Sequence, residues 1–77
     1  MENKKLSEES IKFIISRLVE RADEAKQEYQ SDKDNEFKSG RAMAYYGMLD
    51  ILKTELDFHE QDLKEFGLDI NLESRYL

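Results

Sequence analysis

The chain has no cysteine, which removes disulfides, thiolate zinc sites and cysteine nucleophiles together. That fits a reducing compartment, and the cytoplasm is the expected location. No apolar run approaches the ~20 residues that span a bilayer. The opening MENKKLSEES carries no apolar signal region, so neither membrane insertion nor secretion is expected. Proline is missing as well, and the three glycines form no phosphate-cradling loop. There is one histidine, and no Ser-His-Asp constellation stands out. Acidic side chains are everywhere, so a pair of carboxylates carries little information about catalysis. These absences leave no catalytic residues, no metal and no cofactor to assign, and the chain is not expected to be an enzyme.

What remains is charge and periodicity. The net charge is −6. Residues 1–38 hold 10 acids against 8 bases (−2), and residues 39–77 hold 8 acids against 4 bases (−4). A chain of this sign repels phosphate backbones, so direct nucleic-acid binding is not expected. With 77 residues there is room for one domain and a modest core.

Ser7 is a good N-cap, and Glu8 and Glu9 after it suit the positive end of a helix dipole. Ile11, Ile15, Leu18, Ala22, Ala25 and Tyr29 follow steps of four and three, a heptad-like seam that predicts a first helix over 7–30. Ile14 and Val19 widen the seam, and Phe13 points nearly opposite it. Glu8 with Lys12, Arg17 with Glu20 and Arg21 with Glu24 have the spacing of intrahelical ion pairs.

SDKDNE, residues 31–36, reads as the turn, with Asp34 or Asn35 capping the second helix. The stretch 37–66 reads as one long helix that Gly67 ends in the left-handed conformation. Its apolar side carries Phe37, Tyr45, Met48, Leu49, Leu52, Leu56, Leu63 and Phe66. Ala44, Ile51 and Phe58 extend that side, making it too wide for a single neighbour. Ala22, Ala25, Gly40, Ala44 and Gly47 cluster near the turn, where small residues let two backbones approach. Arg41 lies within the apolar stripe and is expected to pack its stem and send its guanidinium to water, an ion pair with Glu28 or Asp32 being the alternative. His59 falls with the core residues. Glu55, His59 and Asp62 share a side, but the Glu-x-x-His pairing of bundle metal sites is missing, because Leu56 holds the Glu position.

A short connection makes the two helices antiparallel neighbours. The first helix is used up near the level of His59, so Leu63, Phe66 and the tail 67–77 either fold back along the hairpin or pack on another molecule. Within the tail, LDINL alternates like a short extended segment. The expected architecture is therefore all-α: one domain with a loose leader (1–6), an antiparallel two-helix hairpin and a short C-terminal tail, dimerising into a four-helix bundle that hides the second flank of the long helix.

The functional expectation is a small acidic helical protein acting by protein–protein interaction, as a homodimer or with another protein. Its candidate surface is Phe13, Met43, Tyr46, Ile51, Phe58, Ile70 and Leu72. The alternative rests on Glu55, Asp57, Glu60, Asp62, Glu65, Asp69 and Glu73, with only Lys64 opposing them in that region. Such a face could mimic nucleic acid as a decoy over the basic site of a nucleic-acid-handling protein.

Overall fold

The computed structural model describes residues 6–77. It contains α1 (Glu8–Gln30), α2 (Glu36–Phe58) and a short α3 (Leu72–Tyr76), and no strand among the described residues. The expected leader falls mostly on residues 1–5, outside the described residues; Leu6 is exposed.

α1 begins where its sequence says it should. The Ser7 hydroxyl accepts from the Ser10 backbone N–H at 3.1 Å. Ile15, Ala22 and Ala25 are buried, and Ile11, Leu18, Val19 and Tyr29 are half-buried along the same seam. The three intrahelical ion pairs form at 3.4–3.6 Å on the wet side. Asn35 caps α2 by accepting from the Lys38 N–H at 3.1 Å. The turn and a Lys38–Asp32 contact at 3.4 Å bring α2 back antiparallel to α1.

α2 does not run to residue 66. It stops at Phe58, where the chain reverses in a Schellman motif. The Gln61 N–H donates to the Leu56 carbonyl at 2.9 Å and the Glu60 N–H to the Asp57 carbonyl at 3.0 Å, with Glu60 in the left-handed region at φ 58°. A single turn comes next, opened by Asp62 accepting from the Lys64 N–H, and a second closure of the same kind ends it. There Leu68 N–H donates to the Leu63 carbonyl and Gly67 N–H to that of Lys64, with Gly67 at φ 76°. Gly67 thus has its expected role, on one turn rather than on a long helix.

Energetics explain the break. A continuous helix would carry Leu63 and Phe66 past the end of α1 into water. Reversing the chain instead buries Phe66, Leu68, Leu72 and Tyr76 against Ile15, Ala22 and Leu49. Each such burial contributes ~1.5–3 kcal/mol, whereas a non-glycine left-handed residue costs ~1–2 kcal/mol. The alternation in LDINL survives without a strand: Leu68 and Leu72 are buried, Ile70 is half-buried, and Asp69 and Asn71 are exposed.

The returning tail also bears on which face of α2 lies inside. The buried face of α2 is Ala42 and Leu49, with Tyr45, Tyr46, Leu52 and Leu56 packed at its margin. Phe37, expected inside, is 78% exposed, and Met48 is exposed too. Gly40 and Ala44, expected at the helix–helix contact, face outward, and Ala42 takes the inner place. A face that serves α1 and the tail together must lie between them, which moves it away from Phe37 and Met48.

Candidate interaction face

The helix pair has two long sides, and the chain treats them differently. On one side lies the tail, held by polar contacts at both helices. Arg75 makes two parallel hydrogen bonds to Asp23 of α1, and the Tyr76 hydroxyl donates to the same carboxylate at 2.8 Å. Lys26 donates to the Tyr76 carbonyl at 3.1 Å, and Lys12 approaches Glu65 at 3.8 Å while lying over the Phe66 ring. From α2, the Tyr46 hydroxyl donates to Glu73 at 3.0 Å and Lys53 to the Ile70 carbonyl. No buried side-chain polar atom among the described residues lacks a partner.

These contacts leave electrostatic signatures. The Arg75 hydrogen bonds hold the Asp23 carboxyl below its ordinary range, and Asp23 in turn raises Arg75. Burial, aided by the bond to Asp23, pushes the Tyr76 phenol up to about 12. Glu73 is lowered, first by the backbone N–H of its own residue and then by Tyr46, whose phenol rises.

On the other side the edge is marked by Arg41, which donates to Glu28 at 3.0 Å and lies over the Tyr45 ring. The expectation that this guanidinium simply reaches water is therefore corrected. The antiparallel turn brings Glu28 within reach, and the contact raises Arg41 further. Arg41 lies roughly 130° round α2 from Tyr46 and Lys53, so its edge is the one the tail does not cover. Along this edge and outward from it run Phe37, Ala44, Met48, Ile51 and Phe58, all exposed. On α1, Ile14 precedes Glu28 by two heptads and shares its edge; it too is exposed.

The sequence-derived surface divides accordingly. Phe13, Met43, Ile51 and Phe58 are exposed, the last at 76%. Leu72 is not a surface residue but core, at 1% exposure, because the tail returns onto the helices. Ile70 packs at the core margin, and Tyr46 is half-buried and engaged with Glu73. Phe13 stands apart, on the outer face of α1. Helical spacing alone puts Phe37 and Met48 inside; their outward position depends on where the tail lands, which no local spacing encodes.

His59 is exposed and forms the C-cap of α2, edge-on to Phe58 with ring centroids 5.2 Å apart. It does not lie with the core. Asp62 falls beyond the chain reversal, so Glu55, His59 and Asp62 do not share one helix face. Among the described residues no three His, Cys, Asp or Glu side chains group as a metal site would require. Two shallow clefts flank the tail. One, of about 300 Å³, is lined by Asp50, Lys53, Asp57 and Glu73; the other, of about 280 Å³, by Lys26, Tyr29, Met43 and Tyr76. Lys53, Glu73, Lys26 and Tyr76 already hold the tail, so these clefts belong to the fold. No helix among the described residues is long and apolar enough to cross a membrane. Comparison with models of protein families, with curated proteins and with solved structures found no match to this chain.

Proposed function

We propose that this protein acts by protein–protein contact made through the outward stripe of α2. One observation supports the reading above others. Phe37, Ile51 and Phe58, 78%, 64% and 76% exposed, lie on one side of a helix whose opposite side is already satisfied. Scattered exposed apolar residues are ordinary on a folded domain, whereas large apolar residues aligned along one helix side mark a contact surface. Met43 and Phe13, also exposed, lie off this stripe and are assigned no part in it. The lack of cysteine suits action in the cytoplasm, where disulfides are rare.

The acidic decoy reading has weaker support. Of its seven carboxylates, Glu65 is drawn to Lys12 and Glu73 accepts from Tyr46, so both serve the fold. The two readings part on salt and on residue choice. A photoreactive side chain at position 51, irradiated in a lysate of the host, should give adducts that persist at high salt and vanish in Phe58→Glu. Adducts that vanish with salt alone would instead indicate the acidic face.

A further inference from the structure

The stripe has an internal order beyond being apolar. Phe37, Ala44, Ile51 and Phe58 recur every seven residues, with Gly40, Gly47 and Met48 between them. Among the described residues, an atom added at the Cβ position of Gly40 or Gly47 would meet nothing within 4 Å. The chain's own fold therefore gives no reason for glycine there, although glycine inside a helix costs stability relative to alanine. A surface packed closely on α2 from outside would give one.

The order is also self-complementary. Turn the sequence of the stripe end for end about the bond between Gly47 and Met48. Phe37 then falls opposite Phe58, Ala44 opposite Ile51, and Gly47 opposite Met48, so small residues meet large ones in each inner pair. Arg41 comes level with Thr54 and Glu55, so opposite charges meet. A two-fold interface demands this property, since each contact made by one copy is returned by the other. Parallel pairing has none of it: glycine meets glycine, Arg41 meets Arg41 and Glu55 meets Glu55.

From this pattern, and resting on the reading of the stripe as a contact surface, we infer that its occupant is a second copy of this chain. The two α2 helices lie antiparallel across a two-fold axis beside Gly47 and Met48. Antiparallel Glu28 and Arg41 put Ile14 level with Glu55, between Ile51 and Phe58. Ile14 therefore borders the region where Phe37 of the second copy arrives. The tails stay on the outer sides, so association needs no rearrangement of the chain. The result is a four-helix assembly of two hairpins, with the glycines at its closest approach.

The test uses the full chain. Sedimentation equilibrium over a wide concentration range should show the mass rising from 9.2 kDa toward twice that value. Association should tighten as salt screens the repulsion between two copies that each carry −6. Ile51→Glu and Gly47→Leu should each weaken self-association at least tenfold while leaving the helical circular dichroism intact. Both positions are open in the single chain, so neither change should unfold it. With no native cysteine to interfere, mixed Phe37→Cys and Phe58→Cys chains should form a disulfide-linked dimer, and neither should link efficiently to itself.

A mass fixed at 9.2 kDa at every concentration overturns the inference, and so does efficient linkage of Phe37→Cys to itself. If the chain stays monomeric yet position 51 still captures another protein in a Phe58-dependent way, the second copy is refuted and the contact surface stands. If position 51 captures nothing, both fail.

Discussion

Arg75 grips Asp23 with two parallel hydrogen bonds, Nε to Oδ1 at 3.1 Å and Nη2 to Oδ2 at 2.8 Å, across 52 positions of sequence. Tyr76 adds a third bond to the same carboxylate. Both charged side chains are about 40% exposed, so solvent screens the pair and its worth is modest. Arg75→Ala should lower stability by ~0.5–1 kcal/mol. Asp23→Ala should cost more, ~1–2 kcal/mol, because it also strands the hydroxyl of Tyr76, a residue only 3% exposed. Urea unfolding of the two variants measures the difference, and equal losses would show that the Tyr76 bond adds nothing.

The same cluster sets how stability responds to pH. Asp23 and Glu73 are lowered in the folded chain, so what they contribute is present above their unfolded values, 3.8 and 4.5, and is lost as pH falls through the folded ones. Tyr76 is raised from 10.0 to about 12, so its contribution is complete below pH 10 and is lost as pH rises toward 12. Melting temperature should therefore fall at both extremes. Tyr76→Phe should make the alkaline limb shallower, leaving the part that the raised Tyr46 phenol supplies, and keep the acid limb largely in place; an unchanged alkaline limb would remove Tyr76 from the account.

Leu72 tests whether the tail is structural. It is 1% exposed and contacts the core that also holds Ile15 and Leu49. Leu72→Ala should cost ~2–4 kcal/mol. For a chain of this size that approaches the whole stability, which runs at roughly 0.05–0.15 kcal/mol per residue. Hydrogen exchange at Leu49 would then report a core that opens when the tail is weakened. A loss under 1 kcal/mol, on the scale of a surface change, would mean that the tail only rests on the helix pair.

Much of this arrangement is legible in the sequence, and the remainder is not for a definite reason. The α1 seam, its cap, its three ion pairs and the turn are local, with every partner within four residues or across a short connection. The length of α2 is not local. Leu63 and Phe66 keep helical spacing with Leu52 and Leu56, so periodicity alone extends the helix through His59 and Glu60. What stops it is the burial gained by a tail ten residues on. The one sequence signal is the run His59–Asp62, four residues with nothing apolar, ending in an aspartate suited to opening a new turn. With the tail packed on the helix pair, the inner face of α2 centres on Ala42 and Leu49 with Tyr46 at its margin, and Phe37 and Met48 lie outside it.

The two chain reversals share one geometry but not one residue type, and they should respond oppositely to substitution. Glu60 holds φ 58° and Gly67 φ 76°, both left-handed, and none of the described residues lies within 4 Å of the position a Cβ would take on Gly67. Space is therefore no issue at Gly67, and backbone strain decides the sign. Glu60 bears the ~1–2 kcal/mol that a side chain incurs in this region. Replacing it with glycine relieves that strain but restores freedom to the unfolded chain, a loss of ~0.5–1 kcal/mol. The net for Glu60→Gly should be a gain of ~0–1.5 kcal/mol, and Gly67→Ala should cost ~1 kcal/mol. Urea midpoints at constant slope measure both. A lower midpoint for Glu60→Gly would show that the chain does not reverse in this geometry after Phe58, and the turned-back tail, which depends on that reversal, would fall with it.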